Sequence, residues 1–150
     1  MSSIIVYSAN KDEGKSTTLN ILINLLTEVA DFIEIYRESD VDSCAWFKIN
    51  EKYIYVGTEG DESKTVKNNI KFTDAYDCFI GVVASRKIGG TAEVIRNSKN
   101  AKKLLKEDLE SKLPKKMNNN AKNRVIAAKL FHEIFNLTLS EVTEGKIFDD

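Results

Sequence analysis

The opening of this chain constrains its fold more than any other stretch. An apolar run, Ile4-Ile5-Val6-Tyr7, leads into Ser8-Ala9-Asn10-Lys11-Asp12-Glu13-Gly14-Lys15-Ser16-Thr17 and then into Leu19-Asn20-Ile21-Leu22-Ile23-Asn24-Leu25-Leu26. A strand followed by a turn and at once by a helix presents a row of unpaired backbone N–H groups at the helix N-terminus, where the helix dipole favours an anion. Residues 9–16 spell A-x-x-x-x-G-K-S, a pattern that cradles phosphate. Each fixed position has a physical reason. Gly14 admits the phosphates without a Cβ in the way, Lys15 reaches terminal phosphate oxygens, the Ser16 hydroxyl suits Mg²⁺, and Thr17 opens the helix behind it.

The rest of the chain is long enough to build a single domain, residues 1–150, around this unit. With 42% hydrophobic and 30% charged residues it has the composition of a globular protein. No charged-then-apolar leader and no apolar run of membrane-spanning length is present, so a cytoplasmic location without membrane contact is expected. Cys44 and Cys78 are far apart and lack any CxxC or histidine spacing, which predicts buried thiols outside any disulfide.

Hydrophobic patterning predicts an α/β fold: a mainly parallel sheet with an antiparallel hairpin, flanked by helices. The cluster Phe32-Ile33-Glu34-Ile35-Tyr36 reads as a second strand ending in the acidic turn Glu38-Ser39-Asp40-Val41-Asp42. Ala45-Trp46-Phe47-Lys48-Ile49 and Tyr53-Ile54-Tyr55-Val56-Gly57 flank Asn50-Glu51-Lys52 as a hairpin. Gly60 permits a turn, Asp61 or Ser63 caps a helix carrying Val66, Ile70 and Phe72 or Ala75 inward, and that helix ends near Tyr76. Cys78-Phe79-Ile80-Gly81-Val82-Val83-Ala84 is apolar throughout, as a central parallel strand covered on both faces should be. Residues 1–91 thus form the α/β core, and residues 92–150 are predicted to be a helical C-terminal part. In it Val94, Ile95, Ala101, Leu104, Leu105, Leu109 and Leu113 lie along one helical face until Pro114. A last helix, capped by one of Asn118, Asn119 and Asn120, carries Val125, Ala128, Phe131, Ile134, Phe135 and Leu137, and Thr138-Leu139-Ser140-Glu141 spells the start of another short helix.

The net charge of −1 conceals a block structure: residues 1–95 hold 10 Lys+Arg against 15 Asp+Glu, residues 96–132 hold 11 against 3, and residues 133–150 hold 1 against 5. Such a basic block suits either a solvated helical face or a surface for nucleic acid or an acidic protein. Among the carboxylates, Asp61 follows a predicted strand and precedes a helix. It is the leading candidate for the metal and for catalysis, with helix capping as its plainer role. Glu38 and Asp40 are its rivals. Arg86 and Lys87 leave the central strand toward the edge that carries the loop, placed to clamp a transferring phosphoryl group. His132 has no metal-ligand pattern around it and reads as structural. Trp46, Tyr53 and Tyr55 suit either ring stacking on a ligand or packing.

Residues 3–26 resemble the Walker A region of the P-loop NTPase superfamily. The resemblance implies ATP or another nucleoside triphosphate as ligand, with Mg²⁺, held by Asn10, Lys11, Asp12, Glu13, Gly14, Lys15, Ser16 and Thr17. The spelling E-G-K-S-T-T is similar to that of the ParA/MinD and bacterial tyrosine-kinase group, but that group's signature lysine falls at Asn10 and its Asp-x-Asp falls on Glu38-Ser39-Asp40. Through Arg86, Lys87 and the basic stretch beyond, the chain looks more like small nucleotide and nucleoside kinases, although the Asp-Arg substrate motif of many of them is absent. The kinase resemblance implies phosphoryl transfer to a small-molecule acceptor, with Lys15, Asp61 and Arg86 as catalytic residues. The alternative is a nucleotide-dependent switch or ATPase subunit that contacts nucleic acid or an acidic protein through residues 96–132.

Overall fold

Alternation along the first strand, β1 (Ser3–Ser8), sets the architecture: Ile4 and Val6 face one side of the sheet, Ile5 and Tyr7 the other, and all four are buried. A strand apolar on both faces has to be covered on both, and helices supply the cover. The computed structural model describes the backbone of residues 3–10, 14–37, 42–87, 89–96 and 101–149, and the side chains of these except at 37, 94–96 and 139–149. Lys11, Asp12 and Glu13 of the expected loop and the rival acids Glu38 and Asp40 therefore lie outside the described residues.

From β1 the chain enters α1 (Lys15–Val29), then β2 (Phe32–Arg37), β3 (Ser43–Ile49), β4 (Lys52–Gly57), α2 (Ser63–Asp74), a 3₁₀ turn (Ala75–Asp77) and β5 (Ile80–Ser85). It continues through α3 (Gly90–Arg96), β6 (Ala101–Leu105), α4 (Lys106–Glu110) and α5 (Asn119–Asp149). The strands form one six-stranded sheet in the order β2-β3-β4-β5-β1-β6. Pairings β4–β5, β5–β1 and β1–β6 are parallel, while β3 runs antiparallel to both β2 and β4. The fold is thus α/β with a mixed, mostly parallel sheet. The expected hairpin is β3–β4, closed by Asn50 and Glu51, whose φ of 51° and 67° are the two left-handed positions of a type I′ turn. Lys52 belongs to the strand rather than to the loop.

One face of the sheet is covered by α1 and α5, whose Leu19, Leu22, Leu26, Ile126, Leu130 and Ile134 meet Ile5, Phe47, Ile54 and Val82 in the larger core. The other face packs on α2 through Val66, in a smaller cluster with Ile4, Val6, Tyr55 and Val83. Among the described residues no helix is long and apolar enough to cross a membrane.

Four expectations need correction. The part expected to be helical throughout, residues 92–150, contributes β6, which pairs in parallel with β1 from Ile4↔Ala101 to Ser8↔Leu105; the backbone pairing on offer at the edge of β1 outweighs the helical propensity of Ala-Lys-Lys-Leu-Leu. On α2, which starts after Glu62 with no side-chain cap from Asp61 or Ser63, Asn69 and Thr73 are buried behind Val66, while Phe72, and Ala75 in the 3₁₀ turn beyond, are exposed, because the sheet accepts polar groups that find hydrogen-bond partners there. On α5 the buried stripe is Asn123, Ile126, Ala127, Leu130, Ile134 and Thr138, and Ala128 faces solvent. Finally, α5 runs on without a new start at Thr138, whose hydroxyl donates to Ile134 O (2.9 Å) inside the helix instead of capping one. The expected asparagine cap does form: Asn118 Oδ1 accepts from Ala121 N at 2.8 Å.

Candidate functional site

Parallel strands β1, β4 and β5 deliver their carboxyl ends to one edge of the sheet. Antiparallel β3 begins at that same edge. The loop after β1, the residue before β3 and the loops after β4 and β5 therefore converge, with α1 leaving β1 on one face and α2 leaving β4 on the other. Such a crevice is where ligands lodge in open α/β sheets. A polar cavity of about 350 Å³ opens there, lined by Gly14, Lys15, Ser16, Thr17, Asp42, Glu59, Gly60 and Asp61.

Gly14 precedes α1 with φ of 86°, a left-handed conformation that glycine adopts without strain, and it caps the helix with no side chain. The first turn of α1 contains no acidic residue to neutralise its exposed N–H groups, so the positive end of the helix faces the cavity. Gly60 serves a different need. A Cβ at this position would lie 2.5 Å from the carbonyl carbon of Ala84, so only glycine lets the loop after β4 rest on the end of β5.

Lys15 is 5% exposed, and burial of an ammonium requires partners. Its Nζ donates to Ala9 O (3.1 Å), Asn10 O (3.1 Å) and Asp61 Oδ1 (2.9 Å). Asp61 also faces Arg86, whose Nε is 3.4 Å from the same oxygen. Burial alone would raise the Asp61 carboxyl, but the hydrogen bond and charge of Lys15, reinforced by Arg86, hold it below the ordinary aspartate range. Glu59 is shifted the other way. Burial pushes it up, the backbone N–H of Asp61 opposes this (2.5 Å), and the hydrogen bond and charge of Asp42 push it further up.

Ser16 Oγ lies 2.7 Å from Asp42 Oδ1, and Thr58 Oγ1 donates to the same carboxylate oxygen at 3.2 Å while accepting from Ser43 N. The carboxylate beside the expected Mg²⁺-binding hydroxyl is therefore Asp42, and Asp61 is engaged by cations instead. Sequence reasoning placed Asp42 only at the end of an acidic turn. The signal that identifies it is the hairpin, since an antiparallel β3 has to start at the edge where β4 ends.

Arg86 reaches this site through Asp61, though it is not among the residues that line the cavity. Lys87 does not line the cavity: its Nζ pairs with Glu107 Oε2 at 3.0 Å. Two further supports had no sequence signature. Asn69 on α2 accepts from Tyr55 OH and donates to Glu59 O (3.0 Å), pinning the loop after β4. Asn123 on α5 lies against Gly14, 3.5 Å from where a Cβ would stand. Across β1 and β5, the Ser8 and Ser85 hydroxyls meet at 2.7 Å, tying the two strand ends together.

The other candidates fall outside the cavity. Trp46, Tyr53 and Tyr55 pack with Phe32, Phe72 and Tyr76 over the outer strands, with Tyr53 and Tyr76 stacked at 5.0 Å. His132 is exposed on α5. Cys44 and Cys78 are buried outside any disulfide, and burial, aided by Asp74 and Asp77, pushes the Cys78 thiol up to about 12. Among the described residues no group of three or more His, Cys, Asp and Glu could hold a metal on its own. No protein-family model, curated protein or solved structure matches the chain.

Proposed function

We propose that this chain binds a nucleoside triphosphate, ATP or a close relative, with Mg²⁺ at the start of α1, and transfers its terminal phosphoryl group to a small acceptor in the manner of a P-loop kinase. One observation carries this reading. A helix N-terminus capped by Gly14, with no acidic residue in its first turn, opens on a cavity that also holds a buried lysine and a serine–aspartate pair, all at the carboxyl edge of a mostly parallel sheet. The donors fit the ligand. Backbone N–H groups and Lys15 suit phosphate oxygens, and Ser16 with Asp42 offers the hard oxygens that Mg²⁺ takes in small number while it keeps phosphate and water as its other partners.

Lys15 exchanges its carbonyl partners for phosphate oxygens while Asp61 keeps the ammonium aimed into the cavity. Arg86, held by the same carboxylate, supplies a second positive charge where negative charge spreads over the transferring group. Ser16 and Asp42 would hold Mg²⁺, which supplies charge neutralisation on the phosphates. Asp61, kept anionic by two cations, is a poor proton acceptor. Glu59, with its carboxyl raised, is better matched to take the proton of an acceptor hydroxyl.

The nucleic-acid reading has less support. The basic stretch is divided among β6, α4 and α5, and several of its lysines are committed: Lys102 to Glu133 (2.5 Å), Lys106 to Glu110 (3.6 Å) and Lys129 to Leu109 O (3.2 Å).

Titration calorimetry with ATP and GTP, with and without Mg²⁺, tests the proposal. Lys15→Ala should weaken binding at least ~100-fold, since a buried charge-assisted contact is lost. Asp42→Asn should abolish the gain from Mg²⁺, whereas Asp61→Asn should retain it. Wild-type protein that binds no nucleotide at millimolar concentration, or a Lys15→Ala variant that binds equally well, overturns the reading. Turnover that stays independent of added nucleosides and nucleotides removes the kinase assignment and leaves the binding site standing.

A further inference from the structure

The two edges of the sheet are built on opposite plans. At one edge β6 carries Lys102 and Lys103, both exposed, the kind of charge that blocks pairing with another strand. At the other edge, Phe32, Ile33, Ile35 and Tyr36 of β2 are between 38% and 62% exposed, and among the described residues no strand pairs with its outer side.

These side chains lie on both faces. The register with β3 sets Ile33 and Ile35 opposite Phe47 and Ala45 on the α1 face, and Phe32 and Tyr36 opposite Lys48 and Cys44 on the α2 face. A partner resting on one face would leave the other in water. A partner that adds a strand covers both at once and satisfies the outward N–H and C=O groups of β2.

Residues 31–37, Asp-Phe-Ile-Glu-Ile-Tyr-Arg, are complementary to themselves when reversed. About Glu34, antiparallel pairing puts Ile33 opposite Ile35, Phe32 opposite Tyr36, and Asp31 opposite Arg37. A two-fold axis perpendicular to the sheet keeps each face continuous, as this register requires. It also brings Phe32 of the second copy beside Tyr36, at the mouth of a groove of about 450 Å³ lined by Glu34, Tyr36, Cys44, Trp46 and Phe72.

We propose that β2 is a dimerisation edge, pairing antiparallel about Glu34 with β2 of a second copy of this chain to join two sheets into one. The charge pattern argues for a second copy, because in its own reverse both ends of the segment find opposite charge. One contact opposes the pairing: Glu34 meets its own copy at the axis. Tyr76 donates a hydrogen bond to this carboxylate, and Glu34→Gln keeps the acceptor while removing the repulsion.

Sedimentation equilibrium of the full chain from 1 to 200 µM, at roughly physiological salt, reads the association. The expected result is a monomer–dimer equilibrium. Ile35→Lys should weaken it at least ~10-fold and Glu34→Gln should tighten it several-fold. Arg37→Asp, which sets a carboxylate against Asp31 of the other copy, should weaken it, and adding Asp31→Arg should restore it. Asp31, Glu34 and Ile35 are exposed, and circular dichroism checks that each variant is folded. A wild-type protein that is monomeric throughout, a dimer indifferent to Ile35→Lys, open-ended assembly in place of a dimer, or a double variant no better than Arg37→Asp alone each overturns the proposal. None of these outcomes depends on nucleotide binding.

Discussion

At the scale of single residues, three carboxyl groups within one cavity are set to different tasks by their neighbours. Asp61 faces Lys15 and Arg86 and is held anionic, whereas Glu59 is half-buried beside Asp42 and holds its proton more tightly than usual. The consequences for stability have opposite signs. Asp61, lowered in the folded state, contributes stability above the ordinary aspartate range that is lost as pH falls through its lowered value. Glu59, raised in the folded state, costs stability as pH rises from its ordinary 4.5 through its raised value. Glu59→Gln removes that cost and keeps both bonds, with its carbonyl accepting from Asp61 N and its amide donating to Asp42. Calorimetric scans should show the variant melting a few degrees above wild type at pH 7–8, with the gap closing below roughly pH 4. Lys15, Ser16 and Gly14 were legible in the sequence because their spacing is local. Asp42, Asn69 and Asn123 were not, since each reaches the site from a different element.

Among the elements, the hairpin was read correctly and its turn was read one residue too long. Glu51 occupies a left-handed position with φ of 67° and is joined to Lys48 only by an exposed ion pair at 3.4 Å. Glu51→Gly relieves this conformation, and after the extra chain entropy of glycine the net gain should be about 0.5–1 kcal/mol. A higher urea midpoint with an unchanged slope is the measurement that checks it. β6 was read as helix for a physical reason. Ala, Lys and Leu favour helices locally, and only the parallel pairing with β1, about a hundred residues away in sequence, reverses the preference. On α2 and α5 the helices were correctly located but their buried faces were not. Asn69, Thr73 and Asn123 are buried polar residues, and a hydrophobic period cannot register them.

Across the whole molecule, α5 closes the larger core against α1 and the sheet while its first turns hold Asn123 beside Gly14. Ile126, fully buried one turn beyond Asn123, couples these two roles. Ile126→Ala should cost about 2–5 kcal/mol by denaturant titration, the range for emptying a packed aliphatic site. The sequence by itself determined the strand and helix at the N-terminus, the succession of strands and helices up to β5, and the spacing of Gly14, Lys15 and Ser16 at the start of α1, all of which depend on neighbours within a few residues. Only the tertiary structure decided that β6 is a strand, that Asp42 rather than Asp61 stands beside Ser16, and that β2, the outermost strand among the described residues, presents apolar side chains on both faces. Those outcomes depend on which segments the folded sheet brings side by side, and contacts of that kind leave no local period in the chain.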